Sequence, residues 1–209
     1  MITLYTWTTP NGRKVSILLE ELGVSYEVHP INLSQRQQFT PEFSAISPNN
    51  RIPAIVDSDA DNLSVFESGA ILTYLAEKHG QFLDVTGPGR YKALEWLNWQ
   101  MGGFGPMLGQ LAFFEKFSGE KSALASSRFI GEADRLLTVL EQRFSDAPYL
   151  AGEKYSIADI ATYPWAITAT TFLQDVLAAQ LVGKPNLFAW MDRVGNRPAV
   201  QRGMSVPRL

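Results

Sequence analysis

The sequence predicts two domains, an α/β one followed by an all-α one, and three observations carry that prediction. Strand and helix signals alternate over the first eighty residues, a short stretch of Gly, Asp, Thr and Pro follows at 81–89, and beyond it no convincing strand appears. The chain has 209 residues, 45% hydrophobic and 19% charged, which excludes disordered and low-complexity classes and leaves room for a real core. A net charge of −3 gives no electrostatic ground for nucleic acid or an anionic membrane as partner. No cysteine is present, so a disulfide framework, thiolate zinc sites, a CxxC redox pair and a cysteine nucleophile are all excluded. The start of the chain has no basic region or long apolar run, and no stretch approaches the length of a membrane span; the expectation is a cytoplasmic protein.

Each element has its own justification. Residues 2–7 are β-branched and aromatic and read as a strand. Pro10-Asn11-Gly12 is turn chemistry suited to a helix start, Val15, Leu18, Leu19 and Leu22 follow amphipathic helical spacing, and Gly23 ends the run. A second strand is expected over 26–33, a short helix over 41–46, and two further strands over 52–56 and 63–66 with a hairpin turn at 57–62. Ala70, Leu72, Tyr74 and Leu75 lie on a helix that stops near His79-Gly80. The order βαβαββα matches the thioredoxin-like arrangement. From Arg90 onward the chain reads as helical, with Ala133, Leu136, Leu137, Leu140 and Phe144 on one face. Ser156-Ile157-Ala158-Asp159 has the form of a capping box, and Pro185-Asn186-Leu187 opens a last helix ending near Gly195. The expected domains are therefore residues 1–80, a linker at 81–89, and residues 90–209. The run Gly102-Gly103-Phe104-Gly105-Pro106 is costly inside a helix and predicts a kink or a close helix approach.

Three sites could carry chemistry. The loop Trp7-Thr8-Thr9-Pro10-Asn11-Gly12 leads into a helix start, where amides and the macrodipole favour an anion, and Thr9 and Asn11 add groups able to hydrogen-bond a thiolate; helix capping explains the same residues. At Phe66-Glu67-Ser68-Gly69 the same physics applies: Ser68 and nearby amides suit a carboxylate, Glu67 suits an ammonium group, and capping is again the alternative. In Asn49-Asn50-Arg51-Ile52-Pro53-Ala54-Ile55, an Xaa-Pro at a strand entrance is a candidate cis bond, or an edge-strand proline. His29 and His79 have no partner at metal-ligand spacing, and no phosphate-cradling glycine motif occurs.

These three sites in this order, followed by an all-α half, resemble the cytosolic glutathione transferase family over essentially the whole chain. The signature pieces are Ile52-Pro53 and Glu67-Ser68, within the longer and more specific strings 47–57 and 66–76, and the Ser156–Asp159 box. Thr9-Pro10-Asn11-Gly12, the glycine-rich stretch 99–110 and Arg128-Phe129 are most similar to the bacterial nu class and its glutathione-dependent disulfide-bond oxidoreductases. The resemblance implies the glutathione transferase (GST) fold and a detoxification or oxidoreductase role with glutathione as co-substrate and no metal. It further implies that the Ile52 backbone beside cis-Pro53 meets the cysteinyl part of glutathione, Glu67 and Ser68 its γ-glutamyl end, and Gln38, Arg51 and Arg128 its other polar groups, while Thr9 and Asn11 face the sulfur. A second substrate would draw on Trp7, Phe104, Met107 and Phe113, with Phe114 alongside; core or interface packing explains the same aromatics. Family members pair as homodimers through the helices 90–110 and 128–144. The expected activity is disulfide reduction by a bound glutathione thiolate; conjugation to electrophiles, peroxide reduction, and a non-enzymatic binding role are the alternatives.

Overall fold

The computed structural model describes residues 1–208, which form two compact units. The first holds Met1–Val85 together with the chain from Gly195 onward; the second is Thr86–Val194.

In the first unit, strand β1 (Ile2–Thr6) leads to helix α1 (Pro10–Leu22), then β2 (Tyr26–Pro30), α2 (Pro41–Ile46), β3 (Ala54–Asp57), β4 (Leu63–Phe66) and α3 (Ser68–His79). The sheet order is β2-β1-β3-β4, with β1 parallel to β2 and antiparallel to β3, and β3 antiparallel to β4. The alternation of β1 puts Ile2, Leu4 and Thr6 in the interior. Gly23 and Gly80 end α1 and α3 in the left-handed region, each at φ 65°, as the spacing predicted. The strand expected over 52–56 begins only at Ala54, because Pro53 has no N–H to offer the ladder. The strand expected over 26–33 stops at Pro30, where Asn32 turns the chain by accepting from the Ser34 and Gln35 amides. Buried Asp57 ties β3 to α3, accepting from Tyr74 Oη at 2.6 Å and from Lys78.

Sequence reasoning placed the C-terminal segment with the all-α half, but it joins the first unit. Helix α10 (Pro198–Gly203) lies on α1: Ser16 Oγ donates to Gly203 O at 2.7 Å, and Arg197 and Arg202 pair with Glu21 and Glu20. A Cβ on Gly203 would come within 2.5 Å of Ile17 Cα, so this contact requires glycine. With α3 on one flank and α10 on another, α1 buries Lys14 and Ser16 as well as its apolar face.

The second unit contains α4 (Pro88–Trp99), α5 (Gly105–Ala112), α6 (Ala123–Asp146), α7 (Ile157–Thr170), α8 (Gln174–Leu177) and most of α9 (Pro185–Gly195). The five residues of the predicted α6 face are those it buries. A π-helical turn over Gln100–Phe104 joins α4 to α5, and a Cβ on Gly105 would lie 3.0 Å from Trp165 Nε1 of α7. The close helix approach expected of the glycine run is thus present at Gly105. The capping box is formed at α7: Ser156 Oγ accepts from the Ala158 amide, and Asp159 accepts from Ser156 N.

Candidate functional site

Strand register brings the three loops together. Tyr5 is opposite Ala54 and Ala54 is opposite Phe66, so the exit of β1, the start of β3 and the exit of β4 lie at one end of the sheet. Thr9, Ile52-Pro53 and Glu67-Ser68 follow or precede those strands by one to three residues. The sequence showed three separate loops; the pairing makes them one edge.

At the first loop, Thr9 is the N-cap of α1, and its Oγ1 accepts from the Gly12 amide at 3.2 Å. Accepting there turns the hydroxyl proton away from the helix. Pro10 starts the helix, Asn11 sits half-buried in the first turn, and no acidic side chain occupies that turn to compete with an anion. Gly12 is required for this geometry: a Cβ would stand 2.4 Å from both Trp7 O and Thr6 Oγ1. Gly12→Ala is therefore expected to push α1 off the β1 exit, with a loss of about 1–3 kcal/mol in urea unfolding and weaker ligand binding at this edge. An unchanged unfolding midpoint would contradict the close approach.

At the second loop, Glu67 is exposed and holds φ 69°, a left-handed conformation unusual for a residue with a side chain. Ser68 behind it is buried, and its Oγ accepts from Lys14 Nζ at 3.4 Å. Lys14 is 1% exposed; burial pushes its ammonium down to about 7, against the field of Glu67, which pulls the other way. Sequence reasoning missed Lys14. The signal was available: it stands at i−3 and i−4 from Ile17 and Leu18, a cation on the helix's apolar face.

The third loop is fastened internally. Asn50, at φ 53°, donates from Nδ2 to Gln38 O at 3.0 Å and to Ser44 Oγ at 2.6 Å, while Ser47 Oγ donates to Arg51 O at 2.9 Å. Asn50 thereby joins the Gln38 and Arg51 segments, a role that sequence reasoning did not assign. Gln38 Oε1 is enclosed and accepts no hydrogen bond, and Arg51 is exposed. Ile52 and Pro53 are buried, and the bond between them is cis. Trp7 packs half-buried against the cluster of Ile31, Phe43, Ile52 and Ala54.

The remaining expected residues belong to the second unit. Arg128 is exposed on α6, where its charge adds to the Arg135 hydrogen bonds that hold the Glu132 carboxyl low. Phe104 is fully buried and stacked on Trp99 at 5.3 Å, which makes it a core side chain and removes it from the second-substrate candidates. Its place inside the π-helical turn, not its spacing, decides this. Met107 is half-buried; Phe113 is exposed, with its ring edge-on to Phe114, which stacks on Phe129. His29 lies beside Tyr5 on β2, and His79 ends α3; among the described residues no group of three His, Asp or Glu could hold a metal ion.

Known proteins resemble the chain over nearly its full length. The family description "Glutathione S-transferase, N-terminal domain" matches residues 1–77, and "Glutathione S-transferase, C-terminal domain" matches residues 106–198. The disulfide-bond oxidoreductase YfcG of Escherichia coli (strain K12) is 46% identical over 213 residues, covering 100% of this chain and 97% of that one. A glutathione transferase from Burkholderia graminis, solved with two glutathione molecules bound per subunit, superposes with a TM-score of 0.94 at 46% identity, over 99% of this chain and 88% of that one. One from Pseudomonas putida, solved with one glutathione disulfide per subunit, gives 0.92 at 41% identity, over 99% and 91%. The chain belongs to the glutathione S-transferase family.

Proposed function

We propose that the protein is a glutathione-dependent disulfide oxidoreductase. The observation that carries this reading is the convergence of the Thr9 helix start, the cis Ile52-Pro53 step and the Glu67-Ser68 pair at one sheet edge, in a chain with no cysteine. The names of YfcG and the glutathione-bound relatives support it.

Glutathione lies across that edge. Its γ-glutamyl carboxylate and ammonium meet Ser68 and Glu67, its cysteinyl backbone pairs with Ile52, and Gln38 and Arg51 hold the other end, with Arg128 as a further contact. Enclosed Gln38 Oε1, which accepts no hydrogen bond within the chain, suits an N–H of the tripeptide. The sulfur faces Thr9 and Asn11, where the outward hydroxyl proton and the α1 start favour the thiolate. That thiolate attacks one sulfur of a disulfide RSSR; the S–S bond breaks, RS⁻ leaves and takes a proton from water, and a mixed disulfide GSSR remains. A second glutathione thiolate attacks GSSR, releasing GSSG and RS⁻. Two glutathiones are oxidised and one disulfide is reduced, with no protein thiol involved. Met107 and Phe113 are the remaining apolar candidates for the second substrate.

The reaction consumes reduced glutathione, which places it in the cytoplasm, and the homodimer usual for the family is the proposed assembly. The test is an assay with glutathione and hydroxyethyl disulfide beside one with chlorodinitrobenzene. Disulfide reduction should be the faster. Faster conjugation would assign the protein to electrophile transfer, and no calorimetric binding of glutathione would leave a non-enzymatic role.

A further inference from the structure

Resting on the reading of Gln38 and Arg51 as the holders of glutathione's glycyl end, we infer that Asn50 is a positioning residue that sets both, and so makes the site select the tripeptide over a γ-glutamylcysteine dipeptide. The Asn50 side chain uses both amide protons on the loop ahead of it: Nδ2 donates to Gln38 O at 3.0 Å and to Ser44 Oγ at 2.6 Å. A backbone carbonyl can only accept, so the group facing Gln38 O is the nitrogen of the amide and not its oxygen. Gln38 lies in the short 3-10 turn Gln37–Phe39, between Arg36 in the left-handed region and Thr40, the cap of α2. Hydrogen bonds within this stretch shape it, Asn32 N donating to Gln37 Oε1 at 2.7 Å and Thr40 N to Gln37 O at 3.1 Å. The Asn50 amide ties the turn to the loop that carries Arg51.

That loop is closed by its own bonds at the same position. Asn50 N donates to Ser47 O at 2.8 Å, and Ser47 Oγ donates to Arg51 O at 2.9 Å. The turn holds Asn50 at φ 53°, where asparagine is better tolerated than most residues with a side chain and glycine is better still. Backbone conformation alone would therefore favour glycine; the asparagine amide adds the tie to Gln38. The chemistry of the two held residues matches what glycine adds to the dipeptide, one peptide N–H and one terminal carboxylate beyond it. Gln38 Oε1 is an enclosed acceptor with no partner among the described residues, and Arg51 carries an exposed guanidinium. A dipeptide that ends at the cysteinyl carboxylate offers neither group in that place. Fixing both segments before the ligand arrives lessens the ordering that binding must impose. The gain falls on the glycyl end, because Ile52 is buried in the cluster with Phe43 and Ala54, and Glu67 and Ser68 stand at the start of α3.

The test compares calorimetric affinities for S-methylglutathione and S-methyl-γ-glutamylcysteine, which differ only in the glycyl residue and form no disulfide. The wild type should bind the tripeptide about tenfold or more tightly than the dipeptide. Asn50→Gly keeps the left-handed turn and its bond to Ser47 O but removes the tie to Gln38. It should bind the tripeptide about tenfold more weakly and the dipeptide within about twofold of wild type, so that the preference collapses. Asn50→Asp sets a carboxylate oxygen against Gln38 O and should do the same. In turnover the loss should fall on the KM for glutathione more than on kcat, since the sulfur reacts at the α1 start. Should neither variant at position 50 fold, Ser44→Ala decides: it removes one acceptor of the Asn50 amide, leaves the backbone untouched, and should lower the preference about two- to threefold. A folded Asn50→Gly protein with the wild-type preference, or one that weakens both ligands alike, would overturn the role of Asn50 while leaving the site reading intact. In the fallback, an unchanged preference in Ser44→Ala would do so too. A wild type that binds both ligands equally would instead overturn the reading of Gln38 and Arg51, and the role of Asn50 with it; no binding of either ligand would overturn the whole site reading.

Discussion

Asp159→Ala is expected to destabilise the helical unit by about 3–5 kcal/mol, because four donors converge on this one buried carboxylate. Oδ1 accepts from Leu150 N at 2.9 Å and Trp190 Nε1 at 3.0 Å, and Oδ2 from Ser156 N at 3.1 Å and Ser156 Oγ at 3.2 Å. Alanine leaves the two amides and the indole N–H buried without an acceptor. Asp159→Asn keeps one acceptor oxygen and should lose clearly less. Urea unfolding followed by tryptophan fluorescence measures both; a loss below about 1 kcal/mol for alanine would show that the donors find other partners. The charge itself works against stability. Burial raises the Asp159 carboxyl to about 6 from its usual 3.8, so the native state binds this proton more tightly than the unfolded chain does. The Asp159 contribution should therefore become more favourable as pH falls from above 6 to about 4 and then level off. That is opposite to a carboxylate held low by a cation, and Asp159→Asn should flatten the corresponding part of the stability–pH profile.

Thr9→Ala is the second large expectation, about 100-fold in kcat/KM for glutathione-dependent disulfide reduction. The substitution removes a donor to the sulfur and the acceptor that caps Gly12 N, the latter alone about 1 kcal/mol of stability. Thr9→Ser keeps both functions and should keep most of the activity. The pH–rate profile separates the two roles: losing the thiolate contact moves the alkaline-rising limb to higher pH, whereas loss of the cap alone lowers stability without moving it. Asn11→Ala should shift the same limb by less. If both variants reduce hydroxyethyl disulfide at the wild-type rate at pH 6.5, thiolate stabilisation does not reside in these residues.

Local signals located most elements. Pro10 and Pro41 at helix starts, Gly23 and Gly80 at helix ends, and Pro53 before β3 act through their own φ or missing N–H, whatever surrounds them. The capping box and the α6 face were legible for the same reason: each is written within one or a few helical turns. What escaped detection was settled by partners distant in sequence. Helix α10 is six residues long and too short for a periodic pattern; Gly203, facing Ile17, places it on the first unit. Phe104 sits at near-helical spacing with Met107, yet the π-helical turn sends it into the core.

The candidate site divides along the same line. The sequence alone determined the two-domain plan and the absence of a protein thiol, and it singled out three loops that could carry chemistry. Tertiary structure decided that these loops share one edge, because strand register is a pairing between separate segments and no single segment encodes it. It also decided that Lys14, one turn into α1, lies under Ser68 of α3. A lysine's charge is visible in any sequence, but its desolvation depends on which helices pack over it.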